Sequence, residues 1–189
     1  MACDRLMGDE MINRTNTILA AVMLTAVVAG SGRAQAAEGS GAAAANAKPT
    51  LEFAFEETVT LKKAIPVGMT ALGKRNIIPI TGGTIKGPKI NGTVMPGGWD
   101  WQLTRADGCT QISADYMLRT DDGVVINVVN KGVICPPKDG KPAAVRTQPV
   151  FEPPLGKYEW LGQSVFVGTL VPTTDKSDPA VKIRFYRVR

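Results

Sequence analysis

The sequence predicts an all-β fold: a single antiparallel β-barrel of about eight or nine strands, close in size to a lipocalin barrel. Along residues 79–132 a Gly-rich turn follows roughly every ten residues, and the runs between turns are rich in Val, Ile, Thr, Tyr and Trp, which is typical of successive antiparallel strands. No long stretch has a helical period, so no helix is available to cover a sheet face. The strands must therefore close on themselves or pack as two sheets, and a β-sandwich is the alternative.

The predicted strands follow one another along residues 50–189. The first, 50–61, alternates large apolar residues with Glu and Ala, as a half-buried strand does. Residues 62–80 are interrupted by Pro and Gly and are predicted to form strand fragments and turns. The later strands are predicted at 84–94, 100–105, 110–120, 124–134, 145–152, 159–170 and 181–188, with a loop at 135–142 and a helical turn at 158–161.

The turn of one predicted hairpin sets its register. Residues 121–123 (Asp-Asp-Gly) suit a three-residue loop, in which a type I turn is followed by Gly in the left-handed conformation. Pairing outward from this loop brings Tyr116 opposite Val128 and Cys109 opposite Cys135. Cross-strand neighbours lie within reach of a disulfide, so the sequence predicts a bond between the two cysteines.

The first 36 residues are predicted to be a secretory signal peptide. An apolar run at 18–30 is preceded by Arg14 and followed by a small-x-small sequence at 34–36. Two acidic residues ahead of this segment indicate that translation begins at Met11. The run is shorter than the roughly 20 residues that span a bilayer, and a retained membrane anchor is the alternative.

Residues 37–49 are small and aperiodic and are predicted to be a flexible linker, which leaves 50–189 as the barrel domain. The mature protein is expected to be exported, periplasmic or extracellular, and not stably inserted in a membrane. An exported pair of cysteines also favours a disulfide over a nucleophile.

Composition limits the chemistry. The chain has no histidine, which excludes Ser-His-Asp and Cys-His catalysis and His-based metal sites. Its net charge is +5 at pH 7 and its Lys residues are scattered, so no nucleic-acid partner is predicted. No cofactor or metal is predicted, because the Gly pairs at 82–83 and 97–98 lack a phosphate-loop ending and Asp175 and Asp178 lack enough oxygen neighbours for calcium.

Asp100, Tyr116 and Arg75 are the candidate catalytic residues. A carboxylate that projects into a barrel could act as a general base, whereas the alternative for Asp100 is to accept backbone hydrogen bonds from the turn at 96–98. Tyr116 could donate a proton, and its alternative is to pack in the core. Arg75 could hold a carboxylate or an enolate.

Several motifs together resemble a family of proteins of unknown function, DUF3237. They are KRNIIPITGGT at 74–84, Gly-Pro at 87–88, PGGWDWQLTRADG at 96–108, Tyr-x-Leu-x-Thr-Asp-Asp-Gly at 116–123 and WLGQSVFVG at 160–168. The resemblance covers about residues 51–188. It implies a small antiparallel β-barrel without an established general activity.

The resemblance also implies a set of barrel-pocket residues at the matching positions: Arg75, Asp100, Trp101, Tyr116 and Asn130. The family pattern has an Asp and an Arg flanking the Ala before the tyrosine, whereas Ser-Ala-Asp stands at 113–115 in this chain. A shared chemistry that used this charged pair would be lost or altered here. The cysteine pair is similarly a local addition that suits export.

Three functions follow as hypotheses. The first is an exported barrel that binds a small, partly apolar molecule in its interior. The second is a His-free, metal-free isomerase, cyclase or lyase that uses Asp100 as base and Tyr116 or Arg75 as electrophile. The third is a structural or interaction module with a filled core. An internal cavity favours the first two, and a solid core favours the third.

Overall fold

The computed structural model describes residues 47–138, 140–141, 144–174 and 179–189. The predicted signal peptide, most of the predicted linker and the Asp175–Asp178 loop lie outside the described residues. The described chain forms ten strands and one short 3-10 helix. The strands are β1 (Leu51–Leu61), β2 (Ile65–Thr70), β3 (Gly73–Lys86), β4 (Gly92–Val94), β5 (Trp99–Thr104), β6 (Thr110–Thr120), β7 (Val125–Ile134), β8 (Val145–Glu152), β9 (Phe166–Pro172) and β10 (Ala180–Val188), with the helix at Glu159–Leu161.

The strands close into an antiparallel barrel, as the sequence predicts. A ring of eight strands runs β1-β3-β5-β6-β7-β8-β9-β10 and returns to β1. The two remaining strands are short: β2 pairs with the first part of β3, and β4 bridges the last part of β3 and the end of β6. The β-sandwich alternative is not formed.

The predicted hairpin register is confirmed along β6 and β7. Tyr116 pairs with Val128, and Thr110 at the far end pairs with Ile134. One residue beyond each strand, Cys109 and Cys135 form a disulfide with their Cα atoms 4.1 Å apart. The loop chemistry is also as predicted, since Gly123 has a φ of 88°.

The predicted strand 84–94 is corrected by the structure. β3 is already extended from Gly73 and ends at Lys86, and only Gly92–Val94 of the predicted segment forms a second strand. Gly83, predicted to lie in a turn, is inside β3 at a point where the paired strand β1 comes very close. A Cβ on Gly83 would lie 2.0 Å from the Thr58 carbonyl oxygen, and the φ of Gly83 is 146°, which favours glycine.

A bulge in β1 changes which residues of that strand face inward. The register of β1 against β10 shifts between Phe53 and Phe55. Phe53 and Leu51 are therefore 42% and 59% exposed, whereas Phe55 is fully buried. The inward face continues from Phe55 through Glu57 and Val59, which are also buried.

Side chains fill one half of the barrel. Phe55, Phe151, Phe166 and Phe185 form a cluster whose ring centroids lie 5.0–5.6 Å apart in contacting pairs. The 3-10 helix, predicted as a helical turn, adds the buried Leu161 to this core. The other half of the interior contains a cavity. The part of the chain that the structure describes holds no helix of the length and apolarity needed to cross a bilayer.

Candidate functional site

The cavity lies between the phenylalanine cluster and the barrel end that carries the disulfide. Its volume is about 190 Å³. Seven strands contribute to its wall, which is apolar except for Asp100, Gln102, Tyr116 and Asn130. No Lys or Arg occurs among the described residues that line it. The apolar lining residues are Val59, Leu61, Ile78, Ile80, Ile112, Ala114, Ile134, Leu170, Pro172, Val181 and Ile183.

Asp100 projects into the cavity from β5. Its Oδ1 accepts a hydrogen bond from the backbone N–H of Ser113 at 3.1 Å, and its Oδ2 accepts one from Nε2 of Gln102 at 2.8 Å. Burial raises the pKa of Asp100, and these two hydrogen bonds oppose the shift. The turn at 96–98 does not supply either bond, because the Gly97 N–H donates instead to the carbonyl oxygen of Ile80. The turn-capping alternative is therefore incorrect.

Tyr116 joins the cavity wall to a second carboxyl group, that of Glu57, which is fully buried. Its hydroxyl donates to Oε2 of Glu57 at 2.7 Å, and both residues are buried, at 2% and 0% exposure. Burial raises the pKa of Glu57 to about 8, although the Tyr116 bond lowers it in part. Burial also raises the pKa of the Tyr116 phenol. Oε1 of Glu57 has no hydrogen-bond partner within the described structure.

Glu57 is not among the site residues predicted from the sequence. Its strand contains three glutamates, at 52, 56 and 57, and their burial differs: the first two are half-buried and the last is fully buried. A signal was nevertheless present. Phe55 and Val59 are two residues away on either side, so simple alternation places Glu57 on the same inward face.

Asn130 contributes an unpaired acceptor to the cavity wall. The residue is 2% exposed, and its Oδ1 has no hydrogen-bond partner within the described structure. Its cross-strand neighbours are Ala114 on β6 and Pro149 on β8, whose side chains offer no donor. A buried acceptor without a partner costs about 1–3 kcal/mol. A donor on a bound molecule would therefore relieve this cost.

Arg75 and Trp101 do not share the site. Arg75 pairs with Leu103 and Trp101 pairs with Ile77, so both lie on the face of β3 and β5 opposite to Asp100. Trp101 is 45% exposed and lines an outer groove. The structure thus brings Asp100, Tyr116 and Asn130 together and corrects the expectation that Arg75 and Trp101 line the pocket, since β-strand alternation turns them outward.

A family model described as "Protein of unknown function (DUF3237)" matches residues 49–188. This chain belongs to the DUF3237 family. A UPF0311 protein of Clostridium acetobutylicum is 35% identical over 150 residues, which cover 72% of this chain and 92% of that protein. A crystal structure of a β-barrel-like protein from Acinetobacter baumannii is 32% identical, with a TM-score of 0.68, and the match covers 76% of this chain and 98% of that one.

Two of the proteins that this chain resembles are described as enzymes. The hydroalkoxylation enzyme phnH of Penicillium herquei is 31% identical over 121 residues, which cover 64% of this chain and 74% of that protein. A crystal structure of an enzyme from the same fungus is 25% identical, with a TM-score of 0.57, and the match covers 75% of this chain and 95% of that one. Chemistry on a bound molecule is thus compatible with this barrel.

The described residues contain no group of three or more His, Cys, Asp or Glu side chains placed to hold a metal ion. The half-buried Asp100 carboxyl and the fully buried Glu57 carboxyl are partnered instead by the Gln102 amide and the Tyr116 phenol. The arrangement can accept and donate protons around an apolar space.

Proposed function

We propose that the barrel binds a small, neutral, largely apolar molecule that carries a hydroxyl group. The observation that carries this proposal is the unpaired Oδ1 of Asn130 in the cavity wall, because a ligand O–H would satisfy it. The apolar lining favours a hydrocarbon framework. The lack of Lys and Arg among the described lining residues argues against an anion.

The volume limits the size of the ligand. An engineered cavity of about 150 Å³ accepts benzene, so the 190 Å³ cavity suits one aromatic ring with short substituents. Most sites for drug-sized ligands are larger, at about 300–1,000 Å³. A larger ligand would therefore place only its reacting end in the cavity.

Calorimetric titration with phenol, benzene and benzoate tests the binding proposal. Phenol should bind roughly three- to tenfold more tightly than benzene, since it adds one buried hydrogen bond, and benzoate should not bind. In Asn130→Leu the advantage of phenol over benzene should become smaller, because the ligand O–H loses its acceptor. The matched control is Asn127→Leu on the same strand, because Asn127 lines the outer groove. Tight benzoate binding, or equal affinities for phenol and benzene in the wild type, would contradict the proposal.

A second candidate function is acid–base catalysis of a cyclisation in this cavity. Two observations favour it: burial raises the pKa of Asp100, which makes its carboxylate a stronger base, and a relative is named a hydroalkoxylation enzyme. Asp100 would take the proton of a ligand hydroxyl, and the oxygen would bond to the end of an electron-poor C=C. The electron pair of the double bond would move into an enolate, and return of the proton to the α-carbon would give a cyclic isomer of the substrate.

Asp100→Asn tests the catalytic candidate. We expect the wild type to accelerate the cyclisation of ortho-hydroxyphenyl vinyl ketone to chromanone, and the variant to lose on the order of 10²–10⁴-fold in rate. Stability should change little, because the Asn oxygen can still accept from the Ser113 N–H. Turnover is measured by absorbance against the uncatalysed reaction, with Met117→Phe on the outer face as control. An Asp100→Asn variant with the wild-type rate, or an inactive wild type, would overturn this candidate.

We also propose that the protein is exported after removal of its first 36 residues. The apolar run and the small-x-small sequence at 34–36 support this, and a disulfide between Cys109 and Cys135 suits an oxidising compartment. N-terminal sequencing of protein recovered from outside the cytoplasm tests it. A first residue at or next to Ala37 is expected, and retention of residues 18–30 would contradict cleavage.

A further inference from the structure

The proposed function gives roles to Asn130 and Asp100, and it leaves the hydrogen-bonded pair of Glu57 and Tyr116 without one. The pair lies at the boundary between the filled half of the barrel and the cavity. Tyr116 lines the cavity and pairs with Val128, while Glu57 pairs with Ile183 on β10 and Ile85 on β3. The phenol therefore connects a fully buried carboxyl group to the wall of the site.

The surroundings of Glu57 disfavour its charged form. The neighbouring strands present Ile183 and Ile85 beside it, and the group that faces it from β6 is the neutral phenol of Tyr116. The charge of Asp100 acts on Tyr116 and has the same sign as a Glu57 carboxylate. No cation among the described residues contacts Glu57. A buried carboxylate without a cation is costly, so the neutral acid is favoured.

We infer that Glu57 is a protonated positioning residue that acts through Tyr116 and supplies the acid of the cavity site, opposite the base Asp100. The inference rests on the proposed function. A hydroxyl both donates and accepts, so the 2.7 Å contact can carry its hydrogen bond in either direction. When Glu57 donates to Tyr116, the Tyr116 hydrogen is free to donate to a bound molecule. When Glu57 is ionised, Tyr116 must donate to Glu57 instead.

With this pair, every proton that moves in the proposed cyclisation returns to the side chain that supplied it. Asp100 takes the hydroxyl proton, the new C–O bond forms, and the enolate oxygen takes the Tyr116 proton while Tyr116 takes the Glu57 proton. The enol then gains the Asp100 proton at its α-carbon and returns its O–H proton to Tyr116, which passes a proton back to Glu57. All three side chains return to their starting states, and no co-reactant is consumed.

Infrared spectroscopy of the full protein tests the protonation of Glu57 without any ligand. The wild type should show the carbonyl stretch of a buried protonated carboxyl at neutral pH, and the band should disappear as the pH rises past about 8. The band should be absent from Glu57→Gln, present in Asp100→Asn, and shifted in Tyr116→Phe, which loses the hydrogen bond. A wild type without the band at neutral pH, or a Glu57→Gln variant that keeps it, would overturn the inference.

Phenol titration separates this inference from the proposed function. Wild-type affinity should fall about tenfold between about pH 6 and about pH 9, as ionised Glu57 takes the Tyr116 hydrogen bond away from the ligand. The fall should persist in Asp100→Asn and vanish in Glu57→Gln and in Tyr116→Phe. Phenol binding that does not change with pH in the wild type would overturn the role of Glu57 while leaving the binding site intact. No phenol binding at any pH would contradict the proposed function, and the acid role would fail with it.

Discussion

Replacing Glu57 with Gln is expected to make the protein more stable than the wild type above about pH 8. Burial raises the pKa of Glu57 from 4.5 to about 8, so the folded state holds a proton that the unfolded state has released across this range. The contribution of this proton to the free energy of unfolding is fully present below about pH 4.5 and is lost as the pH rises to about 8. The slope is about 1.4 kcal/mol per pH unit, and the total is on the order of 4–5 kcal/mol.

Urea unfolding of the wild type and Glu57→Gln at several pH values measures this effect. Near pH 5 the variant should be equal or slightly less stable, because a buried Gln amide adds N–H donors without partners. The two free energies of unfolding should cross and then diverge as the pH rises. Asp100, whose pKa burial also raises, should leave a smaller residual decline in the variant.

Glu56→Gln is the matched control for this prediction. Glu56 is the adjacent residue and lies in ion pairs with Arg184 and Lys182, and its pKa is lowered, chiefly by the Arg184 hydrogen bond. Its contribution to stability is present above about pH 4.5 and is lost in acid, so Glu56→Gln should leave the decline toward pH 8 unchanged. If the free energy of unfolding depended on pH in the same way in the wild type and in Glu57→Gln, the raised pKa assigned to Glu57 would be contradicted.

Removing the disulfide should give the second-largest change in stability. Cys109 and Cys135 are 26 residues apart and restrict the unfolded chain of the β6–β7 hairpin. We expect Cys109→Ser combined with Cys135→Ser to lower the free energy of unfolding by roughly 2–4 kcal/mol. For a domain of this size the melting temperature should then fall by roughly 4–16 °C.

Urea unfolding distinguishes this mechanism from a loss of native packing. Release of the cross-link exposes more surface in the unfolded chain, so the dependence of the unfolding free energy on urea should become steeper in the double variant. A double variant as stable as the wild type would contradict the disulfide's role in this hairpin.

Local chemistry made the β6–β7 hairpin predictable. The Asp-Asp-Gly loop fixes the pairing by itself, and every later pair, including Tyr116 with Val128, follows by counting along two uninterrupted strands. The ends of a strand were less predictable where it packs against a strand that is distant in sequence. Gly83 looks like a turn residue in sequence, but its role depends on how closely β1 approaches β3 where the two strands pair, and no local pattern indicates this.

The candidate site was predictable only in part, for a similar reason. Alternation separates Asp100 from Trp101, but it does not say which face points inward until the barrel closes. The family resemblance implied that Asp100 and Trp101 both line the pocket. In the closed barrel Trp101 faces outward. Alternation with Phe55 and Val59 places Glu57 on an inward face, but its complete burial also depends on cover from β3 and β10, which are distant in sequence.

The central claim is that the cavity beside Asp100, Tyr116 and Asn130 is the binding site. Calorimetric titration of Ala114→Phe with phenol tests it most directly, because Ala114 lies in the wall between Asp100 and Asn130, and a phenyl ring there would occupy the cavity. We predict that this variant folds but does not bind phenol, whereas Met117→Phe, on the outer face of the same strand, binds it as the wild type does. Phenol affinity that is unchanged in a folded Ala114→Phe variant would contradict the claim.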